Sequence, residues 1–459
     1  MALALDSLNL NGSSQKTLIN PKFKQGAFEN LPPEIAIDIL SRLPIRTIAN
    51  CKCVSKPWRD LIESRDFTSF HLSNSAPGLV LFGNSNLTQC KLFETCIDRL
   101  DGSSYNPVTE LNLPFYGLFC HLYGSANGLI FMCDPSGLTP DIYICNPVTR
   151  EYVTLVCPQE DHSCYGYLSK AAYGFGVTGT GEHKLVRVTR GRLHERMPEV
   201  ERCVCQVYTL GTGSWRRTEG EGDRLYSNGG KPGVFVSGNL HWLARSSIGS
   251  PMVSCFDLET EIFSTFSLPA IPLDHDGSYT HLFALGDCLG LWDSNDGIVI
   301  WLMKQYGDER SWAKEFAINI KPDSFLYYIG LPIELCGDEV YADEFYVVEP
   351  DADEHYAPEP YASEPNSDAL LIWNEFFGHD IFPRKKHLAV YPIKIFEDGD
   401  ILMSWCETFV LRYSSKTKAI KRMPMFKYDI CSDYIPILHT PSLVSLKSLC
   451  FEGCDVGSF

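Results

Sequence analysis

Cysteine and histidine are the residues of this chain best suited to metal or redox chemistry. The sequence has 18 cysteines and 12 histidines, but no C-x-x-C or H-x-x-x-H pair. Those spacings are typical of zinc sites and dithiol redox centres. The cysteines closest to each other are Cys51/Cys53, Cys203/Cys205 and Cys450/Cys454. We therefore predict reduced, mostly buried cysteines and no metal site.

One glycine-rich stretch matches a cofactor motif in form only. Gly174, Gly176 and Gly179 have the G-x-G-x-x-G spacing of dinucleotide-binding loops, where a strand is followed by a helix. Here residues 178–182 have the composition of a turn, and another strand pattern follows. The phosphate-loop, nucleophile-elbow and H-E-x-x-H motifs do not occur. We predict no cofactor and no catalytic residue; the alternative is a carboxylate pair assembled from distant loops.

The net charge of −18 is concentrated in one stretch of the chain. Residues 334–368 hold twelve acidic residues and no lysine or arginine, which is two thirds of the net charge. The one basic cluster, residues 384–387, is short. Nucleic-acid binding is disfavoured, because it needs a concentrated basic surface. We predict that 334–368 is a disordered insert, which either steers a basic partner protein or acts as a solvated spacer.

The chain carries no pattern typical of membrane insertion or secretion. It has no run of 18 apolar residues, which a transmembrane helix would need. Its first residues have a short apolar stretch with no basic residues before it, unlike a secretory signal. Residues 1–26 are rich in polar residues and predict a flexible arm.

Residues 28–67 predict three short helices. The first begins near Pro33 and ends before Pro44, because proline suits a first helical turn and excludes the residue before it from a helix. Its apolar residues form one helical stripe: Ile35, Ile39, Leu40 and Leu43. Two further helices are indicated around residues 45–53 and 58–62. So small a unit buries too little surface to be stable alone, so we predict that it docks on the next domain or on a partner.

From about residue 76 the pattern predicts paired β-hairpins. The first hairpin of each unit has a glycine-containing turn, at residues 122–132, 234–244, 282–292 and 393–405. The second hairpins have an apolar anchor just past the turn: Tyr152, Trp215, Phe263, Trp312 and Ile420. These anchors are 63, 48, 49 and 108 residues apart. Two hairpins per unit of about 50 residues favour a kelch-like propeller of about six blades over a β-sandwich.

The helical segment resembles the F-box of plant F-box proteins. The family pattern has an L-P, an apolar helix ending in L-P, and V-S-K-x-W, and the chain matches it at residues 31–32, 39–44 and 54–58. The resemblance implies that the segment docks the Skp adaptor of a cullin–RING ubiquitin ligase. The residues implied to form the docking face are Leu31, Pro32, Ile39, Leu40, Leu43, Pro44, Val54 and Trp58.

The β region resembles the F-box-associated interaction domain. Its marks include residues 125–129, 146–150, 173–176 and 214–216, and the resemblance resumes over 393–447. The implied organisation is α+β and multidomain: a three-helix F-box at 27–70, an all-β propeller-like domain at 76–447 and a tail at 448–459. It implies a substrate-recognition subunit of an SCF-type ligase in cytoplasm or nucleus, with an unidentified target bound by loops on one propeller face. The alternatives are an F-box scaffold without a degradative role and a propeller enzyme.

Overall fold

The architecture is that of a small helical unit followed by a ring of β-sheets. A computed structural model describes residues 31–83, 89–93, 109–112, 121–134, 141–158, 171–192, 201–218, 232–245, 250–269, 280–293, 298–318, 339–341, 390–405, 409–423, 434–450 and 455–458. The flexible arm predicted at 1–26 lies outside these residues.

Within residues 31–77, four helices precede the first described strand. They are α1 (Pro33–Ser41), α2 (Ile45–Cys51), α3 (Lys56–Ile62) and α4 (Arg65–Asn74). At the start of α3 the Trp58 backbone N–H donates to Ser55 Oγ, and at the start of α4 the Phe67 N–H donates to Ser64 Oγ. Each cap satisfies a backbone donor that a helix leaves unpaired at its first turn.

The helix α4 corrects the prediction of three helices. It begins where the sequence prediction ended and runs to Asn74, beyond the predicted domain limit at 70. Its mean hydropathy is low, and its buried side chains are Phe67 and His71. One of these two residues is polar, so the apolar periodicity on which the prediction relied is weak here.

Six antiparallel sheets follow, and each is one blade of a propeller. Blade 1 consists of β1 (Gly78–Gly83), β2 (Gln89–Phe93), β3 (Thr109–Asn112) and β25 (Tyr434–His439). Blade 2 consists of β4 (His121–Ala126), β5 (Leu129–Asp134), β6 (Asp141–Asn146), β7 (Glu151–Val156) and β26 (Val456–Ser458). Blade 3 consists of β8 (Ala172–Val177), β9 (His183–Arg192), β10 (Glu201–Thr209) and β11 (Trp215–Arg217).

Blades 4 and 5 are also four-stranded, and blade 6, like blade 2, has a fifth strand at its edge. Blade 4 consists of β12 (Val234–Val236), β13 (Asn239–Arg245), β14 (Pro251–Asp257) and β15 (Phe263–Ser267). Blade 5 consists of β16 (Thr280–Leu285), β17 (Cys288–Asp293), β18 (Ile298–Met303) and β19 (Trp312–Ile318), with a 3₁₀ turn at Glu309–Ser311. Blade 6 consists of β20 (Glu339–Tyr341), β21 (Val390–Ile395), β22 (Ile401–Trp405), β23 (Phe409–Tyr413) and β24 (Ala419–Arg422). A last short helix, α5, spans Leu446–Leu449.

The ring is closed by a strand from the end of the chain. The inner strands β4, β8, β12, β16 and β21 each lie beside the next, and β25 lies beside both β21 and β4. β25 pairs with β1 from Gly78 to Gly83, so blade 1 combines strands from both ends of the described chain. The ring of six confirms the predicted propeller and excludes the β-sandwich.

The predicted hairpin turns are confirmed, and their glycines have a backbone reason. Gly128, Gly238, Gly286 and Gly399 all have positive φ, between 55° and 85°. Residues with a Cβ rarely adopt this conformation, which tight hairpin turns require. The five predicted anchors lie in the outer region of their blades, on β7, β11, β15, β19 and β24.

The stretch that matches the dinucleotide motif runs from a strand through a turn to a second strand. Gly174 and Gly176 lie on β8, and β9 follows the turn, so there is no helix to receive a phosphate. A Cβ at Gly174 would lie 2.7 Å from Trp242 Cζ2, and one at Gly176 would lie 2.4 Å from Phe235 Cδ2. The two glycines therefore allow blade 4 to pack closely against blade 3.

Two segments differ from the predicted domain limits. Residues 339–341, within the predicted disordered insert, form β20 and pair with β24, with Glu339 opposite Lys421. The rest of residues 334–368 lies outside the described residues. In the predicted tail at 448–459, β26 pairs with β7, so this segment adds to blade 2. Both strands are short additions at a blade edge and have no hairpin partner next to them in the sequence, so the hairpin pattern did not reveal them.

Two tryptophans join neighbouring blades through the same contact. Trp215 begins β11 and donates its indole N–H to the carbonyl oxygen of Val156, which ends β7 of the previous blade, at 3.0 Å. Trp312 begins β19 and donates in the same way to Ser267, which ends β15, at 3.1 Å. At these two positions the periodic anchor is therefore a hydrogen-bonded link between blades.

Candidate docking surface on the helical unit

The helices pack around a small apolar core. Its buried residues are Leu40, Ile45, Ile48, Ile62 and Phe67, together with Leu443 from the end of the chain. Half-buried side chains that pack around this core are Ile37, Leu43, Cys51, Trp58, Leu61 and Val148. Leu443 and Val148 belong to the propeller part of the chain, so the two units share one core.

The helical unit also has an exposed apolar surface. Among the described residues, six large apolar side chains are exposed, and four of them lie in this unit. They are Ile35 at 48%, Ile39 at 37%, Val54 at 55% and Phe70 at 43%. Ile35 and Ile39 are four residues apart on α1, so they share one helical face, and α1 packs against α4, which carries Phe70. Scattered exposed apolar residues are normal, but a concentration in so small a unit is typical of an interaction site.

The structure divides the predicted docking residues into three groups. Exposed residues are Pro32, Ile39, Pro44 and Val54. Half-buried residues are Leu31, Leu43 and Trp58. Leu40 is only 2% exposed and packs in the core, so it supports the surface from beneath. The predicted single stripe of α1 therefore has two sides, with Leu40 facing inward and Ile35 and Ile39 facing outward.

The sequence prediction did not assign two of the exposed side chains to the surface. Ile35 belongs to the predicted helical stripe but not to the predicted docking face. Its spacing of four residues from Ile39 is the signal that places both on one face. Phe70 lies on α4, the helix that the sequence did not predict. We define the docking surface by the four exposed apolar residues Ile35, Ile39, Val54 and Phe70.

Two ion pairs lie on the surface of the helical unit. Arg42 and Asp38 form an exposed ion pair at 2.8 Å, and the hydrogen bond to Asp38 raises the pKa of Arg42. Lys52 and Glu63 are 3.4 Å apart. Exposed pairs of this kind contribute little to stability.

The described part of the chain shows no group of three or more histidine, cysteine, aspartate or glutamate side chains that could hold a metal ion. Within the same residues, no helix is long and apolar enough to cross a membrane. Burial raises the pKa of the Cys51 thiol, which lies beside this core, so that thiol is poorly suited to act as a nucleophile.

Together, a closed six-bladed scaffold and a small helical unit with an exposed apolar face define a class of protein, the propeller that carries a docking module. Comparison with protein families specifies the class. The F-box associated beta propeller domain matches residues 118–351, and the F-box domain matches residues 28–70. The chain belongs to the F-box proteins that carry an F-box-associated β-propeller domain.

The curated relatives are plant F-box proteins. The chain is 29% identical to F-box protein DOR of Arabidopsis thaliana over 251 residues, which are 52% of this chain and 61% of that protein. It is 27% identical to F-box protein CPR1 of the same plant, over 64% of this chain and 74% of that protein. An Arabidopsis F-box/kelch-repeat protein is 26% identical over 63% of this chain and 79% of that protein.

Solved structures share only a distant likeness with the chain. A DUF4784 family protein from Bacteroides caccae covers 79% of this chain and 74% of its own, with a TM-score of 0.35 and 10% identity.

Proposed function

We propose that this chain is the substrate-recognition subunit of an SCF-type cullin–RING ubiquitin ligase. The F-box would bind a Skp-family adaptor, and through it cullin and the RING subunit, while the propeller would bind a target protein. The observation that supports this most is the exposure of Ile35, Ile39, Val54 and Phe70 on a unit most of whose other large apolar side chains pack in or around a buried core. Side chains exposed in this way lose contact with water only when a partner covers them.

The role proposed for the chain needs no side-chain chemistry of its own. In such a ligase the RING subunit recruits the charged conjugating enzyme, and the adaptor subunit holds the target nearby. The contribution is a raised effective concentration of the target lysine. We expect the protein to act in cytoplasm or nucleus, where the ligase components would be its partners.

The test uses matched aspartate variants of exposed apolar residues. In the variant Ile35→Asp/Ile39→Asp, two apolar side chains on one face of α1 become charged without disturbing the buried core. Each buried aliphatic side chain is worth about 1.5–3 kcal/mol, so we expect adaptor affinity to fall about 100-fold or more. The measurement is titration of the full chain with a purified Skp adaptor, followed by co-purification of cullin.

The control variant is Val156→Asp/Ile262→Asp, which changes the two large apolar side chains that are exposed among the described residues of the propeller. We expect it to bind the adaptor as the unaltered chain does. Equal binding by the α1 variant would contradict the docking surface. Failure of the unaltered chain to bind any Skp adaptor would contradict the ligase role.

Other assays distinguish the two alternative functions from the proposed one. An F-box scaffold would bind adaptor and cullin but leave its bound partner unmodified by ubiquitin. A propeller enzyme would turn over a small substrate in the absence of the adaptor.

A further inference from the structure

The segment that follows the last propeller strand lies between the F-box and the propeller. We call residues 441–450 the clasp. It follows β25 and includes α5. The direct covalent link between the F-box and the propeller is shorter than the clasp, because only residues 75–77 join the end of α4 to β1.

On one side, the clasp contributes to the core of the F-box. Leu443 is 2% exposed and belongs to the same cluster as Leu40, Ile48 and Phe67. Val148, in the turn between β6 and β7, packs at the edge of this cluster. The F-box core is therefore completed by one residue of the clasp and one of blade 2.

On the other side, two polar side chains of blade 2 hold the clasp. Asn146 is fully buried and its Nδ2 donates to the carbonyl oxygens of Ser442 at 3.1 Å and Val444 at 2.7 Å, one on each side of Leu443. Glu151 accepts from the backbone N–H of Leu446 at 2.7 Å and from Ser445 Oγ at 2.9 Å. Hydrogen bonds to a charged carboxylate are among the stronger ones in proteins.

Two glycines allow the clasp to lie directly on the blade turns. A Cβ at Gly128, in the turn between β4 and β5, would lie 1.9 Å from Ser442 Oγ. A Cβ at Gly211, in the turn between β10 and β11, would lie 2.4 Å from the carbonyl oxygen of Leu449. The backbone of the clasp is thus in direct contact with turns of blades 2 and 3.

We propose that the clasp fixes the orientation of the F-box on the propeller, with Asn146 and Glu151 as its positioning residues. A single covalent link of three residues would let the F-box rotate, and the second attachment through Leu443 removes that freedom. The consequence for ubiquitin transfer rests on the proposed function, because a fixed orientation would hold a bound target at one distance from the ligase core. The orientation itself can be measured without any partner.

The first test variant is Asn146→Asp. The aspartate keeps Oδ1, which accepts from the N–H groups of Val148 and Thr149 and so maintains the turn. It replaces the two donors to the clasp by an oxygen that faces two carbonyl oxygens. The matched control is Asn239→Asp, which removes the donor to Ser237 in a turn of blade 4, away from the clasp.

The readout is single-molecule energy transfer in the full chain. Dyes are attached to azide-bearing amino acids at Asp60 on α3 and Asp287 in a turn of blade 5, both exposed. The unaltered chain and the control are expected to give one narrow distribution. For Asn146→Asp we expect the population of other orientations to rise about tenfold or more, because two buried hydrogen bonds are lost. The melting temperature of the propeller in Asn146→Asp is expected to equal that in the control variant Asn239→Asp.

A second variant, Leu443→Ser, tests the same idea from the F-box side and leaves the hydrogen bonds of Asn146 and Glu151 in place. A distribution as narrow as that of the unaltered chain in both variants would overturn the proposal. Adaptor affinity of Asn146→Asp is measured in parallel and is expected to change less than about twofold, since this variant leaves both the docking surface and the F-box core untouched. If the unaltered chain bound no adaptor, the proposed function would fail while the orientation measurement would still decide on the clasp.

Discussion

Three histidines of the propeller are buried almost completely, and burial is the main influence on their protonation. Burial lowers the pKa of His183 and His241 to about 4 and that of His439 to about 3. All three are therefore neutral in the folded protein near pH 7. The free-energy cost of moving a charged imidazolium from water into these buried sites is larger than the favourable interactions it gains there, so the neutral form is preferred.

His241 shows how a neutral ring links two blades. Its Nδ1 donates to the carbonyl oxygen of Val234 at 3.0 Å, because a carbonyl can only accept. Its Nε2 is then the acceptor for the hydroxyl of Tyr306, at 2.8 Å. His241 lies on β13 of blade 4 and Tyr306 follows β18 of blade 5, so this pair joins the two blades.

We predict that His241 makes the protein less stable in mild acid. Its folded pKa of about 4 is below the ordinary value of 6.5, so between these values the unfolded chain binds a proton that the folded chain does not. The free energy of unfolding therefore falls as pH decreases from about 6.5 towards 4, by up to about 3 kcal/mol for this group. The measurement is urea unfolding at a series of pH values, for the unaltered chain and for His241→Asn.

The variant His241→Asn is expected to lose part of that pH dependence. Tyr306→Phe is the control, because it removes the hydroxyl but keeps the titrating ring, so its stability should be lower at every pH with the same slope. An unchanged slope in His241→Asn would contradict the assignment.

At the docking surface, the sequence could identify the apolar residues of α1 but not which of them face the core and which face solvent. The spacing of Ile35, Ile39 and Leu40 indicates an apolar helix face. Which of them faces inward depends on the packing of α4 and of Leu443, which is about 400 residues away in the chain. Such a contact leaves no trace in local periodicity.

Among the elements, the outer strands hold neighbouring blades together as well as closing each sheet. The links from Trp215 to Val156 and from Trp312 to Ser267 both connect the start of one outer strand to the end of the previous one. Blades 3 and 5 therefore each have an indole link to the blade before them. Within a blade the strands are paired by backbone hydrogen bonds. Between blades, side-chain links such as these add to backbone contacts such as the one from the Gly233 N–H to the carbonyl oxygen of Tyr173, at 2.6 Å.

We predict that Trp215→Phe and Trp312→Phe each destabilise the propeller by about 1 kcal/mol, the usual net value of one hydrogen bond. Phenylalanine keeps most of the aromatic surface, so the loss is mainly that of the N–H donor. Because the two links lie between different blades, the effects should add in the double variant. The measurement is the free energy of unfolding from chemical denaturation.

The control for the indole links is Trp301→Phe. The Nε1 of Trp301 has no hydrogen-bond partner among the described residues, so removing it should cost less than removing either linking donor. Similar losses for all three variants would mean that the indole hydrogen bonds contribute nothing beyond packing.

The sequence predicted hairpins well because a hairpin is local. The turns at Gly128, Gly238, Gly286 and Gly399 follow from residues that favour positive φ between two apolar runs. In contrast, β25 pairs with β1 and β26 with β7 across roughly 300 or more residues. Composition indicates that such segments are extended, but only the closure of the ring determines their partners.

For the whole molecule, the position of the F-box decides which surfaces remain available. Val148, in the turn between β6 and β7, packs at the edge of the F-box core, and Gly128, in the turn between β4 and β5, lies against the clasp. Successive strands of a blade are antiparallel, so the connections from the second to the third strand leave from the opposite ends of these strands. The F-box and clasp therefore lie on the face that carries these turns, and we expect a target of the proposed ligase subunit to bind the opposite face.

The acidic stretch is attached to the outer edge of blade 6. Its strand β20 pairs with β24, with Glu339 opposite Lys421. Residues 342–367 contain eight acidic residues and no lysine or arginine, so their removal would change the net charge from −18 to −10. A deletion that begins after Tyr341 leaves β20 in place and isolates the effect of charge.

We predict that residues 342–367 accelerate the association of a basic target. Charges of one sign attract an oppositely charged partner before contact, and this effect weakens as salt screens it. Targets are first recovered by proximity labelling with the proteasome blocked, and association rates are then measured from low to high salt. With a neutral glycine–serine linker of equal length in place of 342–367, the rate at low salt should fall about tenfold or more and lose most of its salt dependence. Equal rates for both proteins at low salt would identify the stretch as a spacer, because a solvated spacer of the same length leaves the field at the target unchanged.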